Sequence, residues 1–423
     1  MIDFVDDQLA DSAKEVSDTK IAIGFLGLSG TLWRLALVTG IAQFSMSVWV
    51  WEFSIYLETF LVPWQIGLTF TVSTLASLIG YISSGTIADF IGRKKTMAVA
   101  FLPMITGLIA ISLNPAWPFI PFEYGLVQFG WSFLIIMSRA IPADEIAATG
   151  GHDAARRFTM VLMPAFLLDG LSPILGATMI SLGFVARDLH LLGSIGAIIA
   201  FISTLIFVRE SLQREIIDRA KTGPLISFRR LGNNFWKLVV GMISFTFFFN
   251  AALPYWGNLV VGEWGVSETH FGYAWSAFSL TTVLLMYTAS GLADRNIKGS
   301  LLLAVIWNAL MILIFSLIGG GLEVLIILNI VWSLPVVLWI GAERALVVAD
   351  IEQQDKGRAL GTYQFLMTST NVAAQPFGAM LWTITGSLRT GWLISGIGGL
   401  LSATILVGAL KSMRGQDKTE NNE

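Results

Sequence analysis

Long apolar segments alternate with short polar ones along most of the chain. Twelve of these segments are long enough for an α-helix to cross a hydrocarbon core about 30 Å thick. They cover residues 32–56, 65–88, 96–114, 124–143, 157–182, 189–208, 236–261, 269–293, 300–317, 324–348, 359–385 and 389–410. The pattern therefore predicts an all-α membrane protein with twelve transmembrane helices.

The second half of this pattern repeats the first. Residues 85–95 read Gly-Thr-Ile-Ala-Asp-Phe-Ile-Gly-Arg-Lys-Lys, and a degraded copy at 291–299 reads Gly-Leu-Ala-Asp-Arg-Asn-Ile-Lys-Gly. An offset of 205 residues maps Gly67 onto Gly272 and Arg139 onto Arg344, which indicates two copies of one membrane unit in the same orientation. The predicted divisions are an N-terminal segment (1–30), an N-terminal six-helix bundle (31–208), a linker (209–235), a C-terminal six-helix bundle (236–410) and a tail (411–423).

Composition supports this class of protein and argues against others. Apolar residues make up 55% of the chain and charged residues 13%, too little charge to cover an ordinary soluble domain. Cysteine is absent, and the sequence has no phosphate-binding loop motif. We expect a protein that is not an enzyme and that needs no cofactor, no metal and no nucleic acid.

The distribution of Lys and Arg predicts the orientation. Only Arg187 and Arg389 fall on the side away from the termini, which leaves 24 of the 26 basic residues on the side of the termini. By the positive-inside rule that side is the cytoplasm. We expect a multi-pass protein of the cytoplasmic membrane with both termini cytoplasmic.

The loop between the second and third spans resembles a known family. The pattern Gly85-x-x-x-Asp89-x-x-Gly92-Arg93-Lys94, together with twelve spans in a 6+6 duplication, is similar to that of the major facilitator superfamily of secondary transporters. The resemblance implies the major facilitator fold, with two six-helix bundles that rock to expose a central site alternately to each side. It also implies a partner set of a small-molecule substrate, protons (with Na+ as the alternative coupling ion) and the lipid bilayer, and function as a monomer.

In that family the loop holds the two bundles together on the cytoplasmic side. The resemblance therefore implies a gating role for the motif and for the charges that accompany it at the cytoplasmic helix ends. These residues are Gly85, Asp89, Gly92, Arg93, Lys94, Arg139, Asp144, Glu145, Asp294, Arg295, Glu343, Arg344 and Asp350. The alternative is that the charges only anchor helix ends at the membrane interface.

Two acidic residues within spans are candidates for proton coupling. Asp169 lies near the middle of the fifth span and is followed by Gly170 and Pro173; an ionisable group at that depth is costly unless it is functional or partnered. Its alternatives are a structural hydrogen bond and a contact with a cationic substrate. Glu52 lies in the outer third of the first span. Counted at 100° per residue it falls opposite the face of Gln43, so it faces the same cavity only if the helix unwinds near Ser45–Ser47, and a position at the membrane interface is the alternative.

Polar and aromatic residues within the spans are candidates for the substrate cavity. Amide and hydroxyl side chains recur at helical spacing on the first, seventh and eleventh spans, and aromatic rings could form flat walls. The candidates are Gln43, Ser47, Trp131, Asn250, Tyr255, Asn258, Trp275, Gln364, Asn371 and Gln375. The alternative is hydrogen bonding between helices and simple packing.

Three functions fit these features. The first is proton-coupled symport of a small polar solute, a sugar or a weak organic acid, with Asp169 as the proton carrier. The second is a proton-driven exporter of amphipathic or cationic compounds, and the third is a membrane sensor or scaffold without transport. Because no basic residue is expected near the midplane, neutral or cationic solutes are favoured over anions.

Overall fold

A computed structural model describes residues 28–148, 154–211, 231–349, 351 and 356–413. Twelve long helices follow one another along this part of the chain. They are α1 (Gly30–Ser47), α2 (Pro63–Ile91), α3 (Arg93–Leu113), α4 (Ile120–Ala148), α5 (Ala154–Ser181), α6 (Ala186–Phe207), α7 (Asn233–Ala252), α8 (Glu268–Arg295), α9 (Ile297–Leu317), α10 (Leu322–Val348), α11 (Lys356–Thr385) and α12 (Leu388–Ser412). The predicted all-α fold is confirmed.

Nine stretches of the described chain are both long and apolar enough to cross a membrane. The helices outside this set are α1, α8 and α11. Each of these carries several hydroxyl or amide side chains, such as Gln43 on α1, Ser279 on α8 and Gln375 on α11. These three less apolar helices thus carry polar side chains that contact other helices.

The first and seventh spans are interrupted, the first next to the place where unwinding was considered and the seventh where an uninterrupted helix was expected. α1 ends at Ser47, and turns at 48–52 lead into a short helix, Phe53–Glu58. After α7, a 3-10 turn at Leu253–Tyr255 leads into short helical pieces that end at Glu263. Pro254 explains the second break because proline has no backbone N–H to donate. In the first break the indoles of Trp49 and Trp51 bond to carbonyls of their own segment.

The two breaks occupy matching places in the repeat. The offset of 205 residues maps 48–52 onto 253–257, and it maps the first residue of α2, Pro63, onto the first residue of α8, Glu268. Helix packing repeats as well: α1 packs on α5 and α6, as α7 does on α11 and α12, and α4 packs on α2 and α3, as α10 does on α8 and α9. The domain boundaries at 31, 208, 236 and 410 remain predictions.

The two bundles meet through two helix pairs, α2 with α11 and α5 with α8. The ends of the described chain, near Gly30 and Ser412, lie on one side, called here the terminal side; α2, α8 and α12 begin on the other, called the opposite side. Small residues allow close approach at these pairs. A Cβ on Gly67 of α2 would lie 2.3 Å from the Cβ of Ala379 on α11, and one on Gly170 of α5 would lie 2.6 Å from Leu280 on α8.

Close packing within the second bundle leads to a stability prediction. A Cβ on Gly378 would lie 1.9 Å from the backbone oxygen of Ala251 on α7. Gly378→Ala should therefore lower the free energy of unfolding by about 1–3 kcal/mol, the usual scale for overpacking. Thermal unfolding of the purified protein in detergent measures the loss. Gly408→Ala is the matched control, because Gly408 is helical and a Cβ there would meet nothing within 4 Å. Equal melting temperatures for the two variants would contradict the packing described here.

Candidate functional site

Asp169 is the centre of a hydrogen-bonded cluster that joins three helices. Gln43 Nε2 on α1 donates to Asp169 Oδ1 over 2.9 Å, and Ser47 Oγ donates to the same oxygen over 2.5 Å. Ser279 Oγ on α8 donates to Asp169 Oδ2 over 3.1 Å. Because α5 belongs to the first bundle and α8 to the second, this carboxylate links the two bundles.

The Asp169 cluster has two hydrogen-bonding states available to it. Within the described part of the chain no Lys or Arg pairs with Asp169, so hydrogen bonds alone stabilise its charge. A carboxylate only accepts hydrogen bonds, whereas a protonated carboxyl group must also donate one. Uptake of a proton therefore forces a rearrangement among Gln43, Ser47 and Ser279.

A separate polar cavity of about 230 Å³ lies between α2, α4 and α11. Its walls carry hydroxyls, amides and aromatic rings, and no charged side chain is among them. The lining residues are Phe70, Ser73, Thr74, Ser77, Tyr81, Tyr124, Gln128, Gln364, Thr368, Asn371 and Gln375. The cavity therefore spans the contact between the two bundles formed by α2 and α11.

Hydrogen bonds arrange the amides of the cavity. Thr74 Oγ1 donates to Gln375 Oε1 over 2.8 Å, which joins α2 to α11, and Gln364 Nε2 donates to Thr368 Oγ1 over 3.2 Å. Among the described residues, Asn371 Oδ1 has no hydrogen-bond partner although it is buried. This acceptor is available to a hydroxyl or amine of a solute.

The cavity is closed towards the opposite side. The hydroxyl of Tyr255 donates to the backbone oxygen of Gln375 over 2.6 Å, and a Cβ on Gly67 would lie 3.2 Å from that hydroxyl. Tyr255 is 1% exposed. On the terminal side, in contrast, Arg139 and Arg344 are exposed. The bundles are thus in contact on the opposite side, and the cavity lies towards the terminal side.

Only part of the predicted cavity set lines this cavity. Gln364, Asn371 and Gln375 are at its wall, whereas Gln43 and Ser47 belong to the Asp169 cluster. Trp131 is partly buried against the apolar core, and the ring of Trp275 packs on Trp256 with centroids 5.2 Å apart. The tryptophans therefore pack helices, as the alternative interpretation expected.

The polar residues of the seventh span do not share one face. Asn250 Nδ2 donates to the Thr246 backbone oxygen of its own helix over 2.9 Å. Asn258 lies beyond the break at Pro254, and its Nδ2 donates across to the Ser54 backbone oxygen over 2.8 Å. Helical spacing counted through the break is therefore misleading, and neither amide lines the cavity.

Glu52 is buried, with 2% of its surface exposed. Because α1 ends at Ser47, the count of 100° per residue from Gln43 does not extend to it. Its carboxyl group faces that of Glu268 in the first turn of α8, within hydrogen-bonding contact. Glu52 thus contacts the second bundle on the opposite side, away from the cavity.

The loop at 85–95 is held by Glu210, which lies in the predicted linker and is not among the predicted site residues. The backbone N–H groups of Arg93 and Lys94 donate to the carboxylate of Glu210, over 2.9 and 3.3 Å. Gly92 has φ of +94°, a conformation that glycine adopts readily. A carboxylate at this position satisfies free N–H groups at the start of α3 and complements the helix dipole.

The other predicted gating residues are distributed along the terminal side. Glu145 Oε1 accepts a hydrogen bond from Ser29 Oγ, at the start of α1, and Glu343 Oε1 accepts one from the Tyr363 hydroxyl over 2.6 Å. Gly85 is buried within α2, and Arg295 is exposed at the end of α8. The side chains of Asp89, Asp144 and Asp294, and residue Asp350 as a whole, lie outside the described residues.

Two polar stripes that the sequence analysis did not select carry much of the site. On α2 the cavity-lining residues Phe70, Ser73, Ser77 and Tyr81 recur every three or four positions, and on α8 Ser276 and Ser279 are three apart. This spacing, typical of one helix face, was a signal available in the sequence. Glu268 and Glu210 had no such signal, since each is a single charge near a helix end.

Comparisons with known proteins agree with this architecture. No family model matches the chain. The enterobactin exporter EntS of Shigella flexneri is 25% identical over 359 residues, which cover 83% of this chain and 84% of that protein. Among solved structures, a POT family transporter in complex with 5-aminolevulinic acid superposes with a TM-score of 0.74 at 14% identity, over 93% of this chain and 98% of that chain. The nucleoside transporter NupG gives 0.68 at 13% identity, over 90% and 99%.

At such low identity the similarity of this chain to the solved structures concerns the fold alone. Its similarity to the exporter is one of sequence and extends over more than four fifths of both chains. Both findings agree with the twelve-helix architecture. The chain is a multi-pass membrane protein with the fold of these transporters, and its sequence is similar to that of the exporter over most of its length.

Proposed function

We propose that the protein is a proton-coupled secondary transporter that exports an uncharged polar or amphipathic solute by alternating access. The observation that carries the proposal is the position of Asp169. A carboxylate within a membrane helix, without a cationic partner among the described residues, is hydrogen-bonded to both bundles at once. Its protonation state therefore acts on a contact that alternating access must rearrange.

The coupling proposed for Asp169 is indirect. The Asp169 cluster lies among α1, α5 and α8, whereas the cavity lies among α2, α4 and α11. A proton and a solute bound at these two places would not touch each other. The two sites would influence each other through the bundles. The α5–α8 contact and the α2–α11 contact together set the relative position of the same two bundles, so a change at one contact acts on the other.

The cavity lining supports an uncharged solute. Hydroxyl and amide groups donate and accept hydrogen bonds, and the rings of Phe70, Tyr81 and Tyr124 provide flat apolar surface. The lining residues themselves offer an anion no compensating charge, and burial of an uncompensated charge is costly; a nearby cation is Arg139, which interacts with the Tyr81 phenol. A sugar-like or amphipathic neutral compound fits both kinds of wall.

The direction of transport rests on the relatives. Export is the activity in the name of the enterobactin exporters, which match the chain over 83% of its length. Import of a sugar or weak organic acid, the first of the functions considered from sequence, has no comparable support. With the terminal side taken as cytoplasmic, the cavity would face the compartment from which an exporter loads. We further propose that the monomer is the functional unit and that protons are the coupling ion.

Asp169→Asn tests the coupling. The amide is close in shape to the protonated carboxyl group, which also donates a hydrogen bond, but it does not exchange a proton, so transport driven by a pH gradient should be lost while exchange of solute without a gradient persists. Liposomes containing the purified protein would be assayed with enterobactin, sucrose and citrate. Asp188→Asn is the control, because Asp188 caps α6 through Val185 N–H, a role that Asn fills equally well. Undiminished gradient-driven transport in Asp169→Asn would exclude Asp169 as the proton carrier.

Substitution of the cavity amides tests the substrate site. A ligand that binds only the folded state raises the melting temperature, and among enterobactin, sucrose and citrate we expect an uncharged or amphipathic compound to do so and citrate to have no effect. Asn371→Ala together with Gln375→Ala should abolish that stabilisation. Asn250→Ala should leave it intact, since that amide bonds to its own helix. Loss of binding in Asn250→Ala and retention in the double variant would mean that the cavity is not the binding site.

A further inference from the structure

Glu52 is the acidic residue most completely buried at the contact between the bundles on the opposite side. It directly precedes the short helix Phe53–Glu58, is 2% exposed, and its Oε2 has no hydrogen-bond partner among the described residues. A carboxylate in such a place would carry an uncompensated charge.

The group that faces Glu52 is a second carboxyl. Glu268 lies in the first turn of α8, in the other bundle, and the two carboxyl groups are within hydrogen-bonding contact. One turn further along α8 the backbone approaches the neighbour of Glu52, because a Cβ on Gly272 would lie 3.0 Å from the Trp51 ring. Glu52 is thus shielded from water, while Glu268 is partly exposed. Glu52 and Glu268 are called here the carboxyl pair.

Two carboxyl groups in contact cannot both be ionised at low cost. Their charges repel, and Glu52 has lost its hydration. When they hold a single proton, one group becomes a donor and the other an acceptor, and the repulsion becomes a charge-assisted hydrogen bond. The closed contact therefore favours one bound proton.

Few other titratable or charged groups lie near the carboxyl pair to change its preference for one bound proton. Tyr56, on the short helix that follows Glu52, interacts with Glu52, and Glu123 and Arg187 act in turn on the Tyr56 phenol. Glu58, at the end of that helix, accepts a hydrogen bond from Asn258 Nδ2 over 2.7 Å. His190 packs on the Tyr56 ring with centroids 5.1 Å apart, and neither of its nitrogens has a hydrogen-bond partner in the described part of the chain. Within those residues, no cation contacts the pair itself.

We propose that Glu52 and Glu268 form a proton-binding site that fastens the two bundles together on the opposite side, with one shared proton bound when this side is closed. Opening hydrates both carboxyl groups and releases the proton. The site is distinct from Asp169, which lies further into the bundle, and it goes beyond the proposed function because it holds whether or not Asp169 couples transport.

The sign of the pH dependence follows from the proton count. The closed state binds one more proton than the open state, so closure is favoured at low pH and is lost as the pH rises. For a difference of one proton the ratio of closed to open protein falls by about tenfold per pH unit at most.

Distances between spin labels on the opposite side measure this ratio. The native chain has no cysteine, so labels can be attached at Leu182→Cys, after α5, and Ile384→Cys, on α11, whose side chains are 73% and 72% exposed. In protein reconstituted into nanodiscs, the short-distance population should dominate at pH 5 and give way to longer distances towards pH 9. Glu268→Gln should keep the short distance throughout, because an amide and a carboxyl group form the hydrogen bond without an added proton.

Three further variants make the result decisive. Glu52→Gln should behave as Glu268→Gln does. Glu323→Gln, at an exposed glutamate in the first turn of α10 on the same side, should retain the wild-type pH dependence, and in Asp169→Asn a pH dependence should remain. A wild-type distance distribution that does not change with pH, or an undiminished pH dependence in Glu268→Gln, would overturn the proposal. If the pH dependence were lost in Asp169→Asn and retained in Glu52→Gln and Glu268→Gln, it would be assigned to Asp169 instead. That result does not depend on whether Asp169→Asn still transports solute.

Discussion

Polar groups buried in a membrane protein need partners within the protein, and here those partners lie largely across the contact between the two bundles. Thr74 bonds to Gln375, Ser279 to Asp169, and Asn258 to the Ser54 backbone oxygen. In hydrocarbon such bonds have no water to replace them. Any rearrangement of the bundles must therefore exchange each of these bonds for water or for another partner, so the same contacts hold the fold together and determine which conformations it can adopt.

The uncharged cavity and the ionisable carboxyl groups lie at different contacts between the two bundles. The uncharged cavity is at the contact of α2 with α11, and the Asp169 cluster is at the contact of α5 with α8. The carboxyl pair lies at the opposite-side end of the second contact. The carboxyl groups of Asp169, Glu52 and Glu268 are thus separated from the cavity, whose lining is suited to a neutral molecule.

Apolar periodicity was sufficient to predict the helices and the fold, because in a membrane the length of an apolar segment is nearly enough to define its structure. Asp169, Gln43 and Ser47 were each selected from sequence for their depth or spacing, and the structure brings them together. Asn258 was misassigned to the cavity because its helical register was counted through a break. Glu52 had the same difficulty beyond Ser47, and its contact with Glu268 joins residues more than two hundred positions apart, which no local pattern reveals.

The interruptions at 48–52 and 253–257 fall at the same place in both copies, yet different residues are responsible, a proline in one and tryptophan indoles in the other. The short segments that follow the two breaks meet, since Asn258 Nδ2 donates to the Ser54 backbone oxygen. The matching residues differ in charge, because Glu52 stands in the first break where Gly257 stands in the second. The first bundle alone therefore brings a carboxyl group from its break to this contact, so the repeat is symmetric in shape but not in charge.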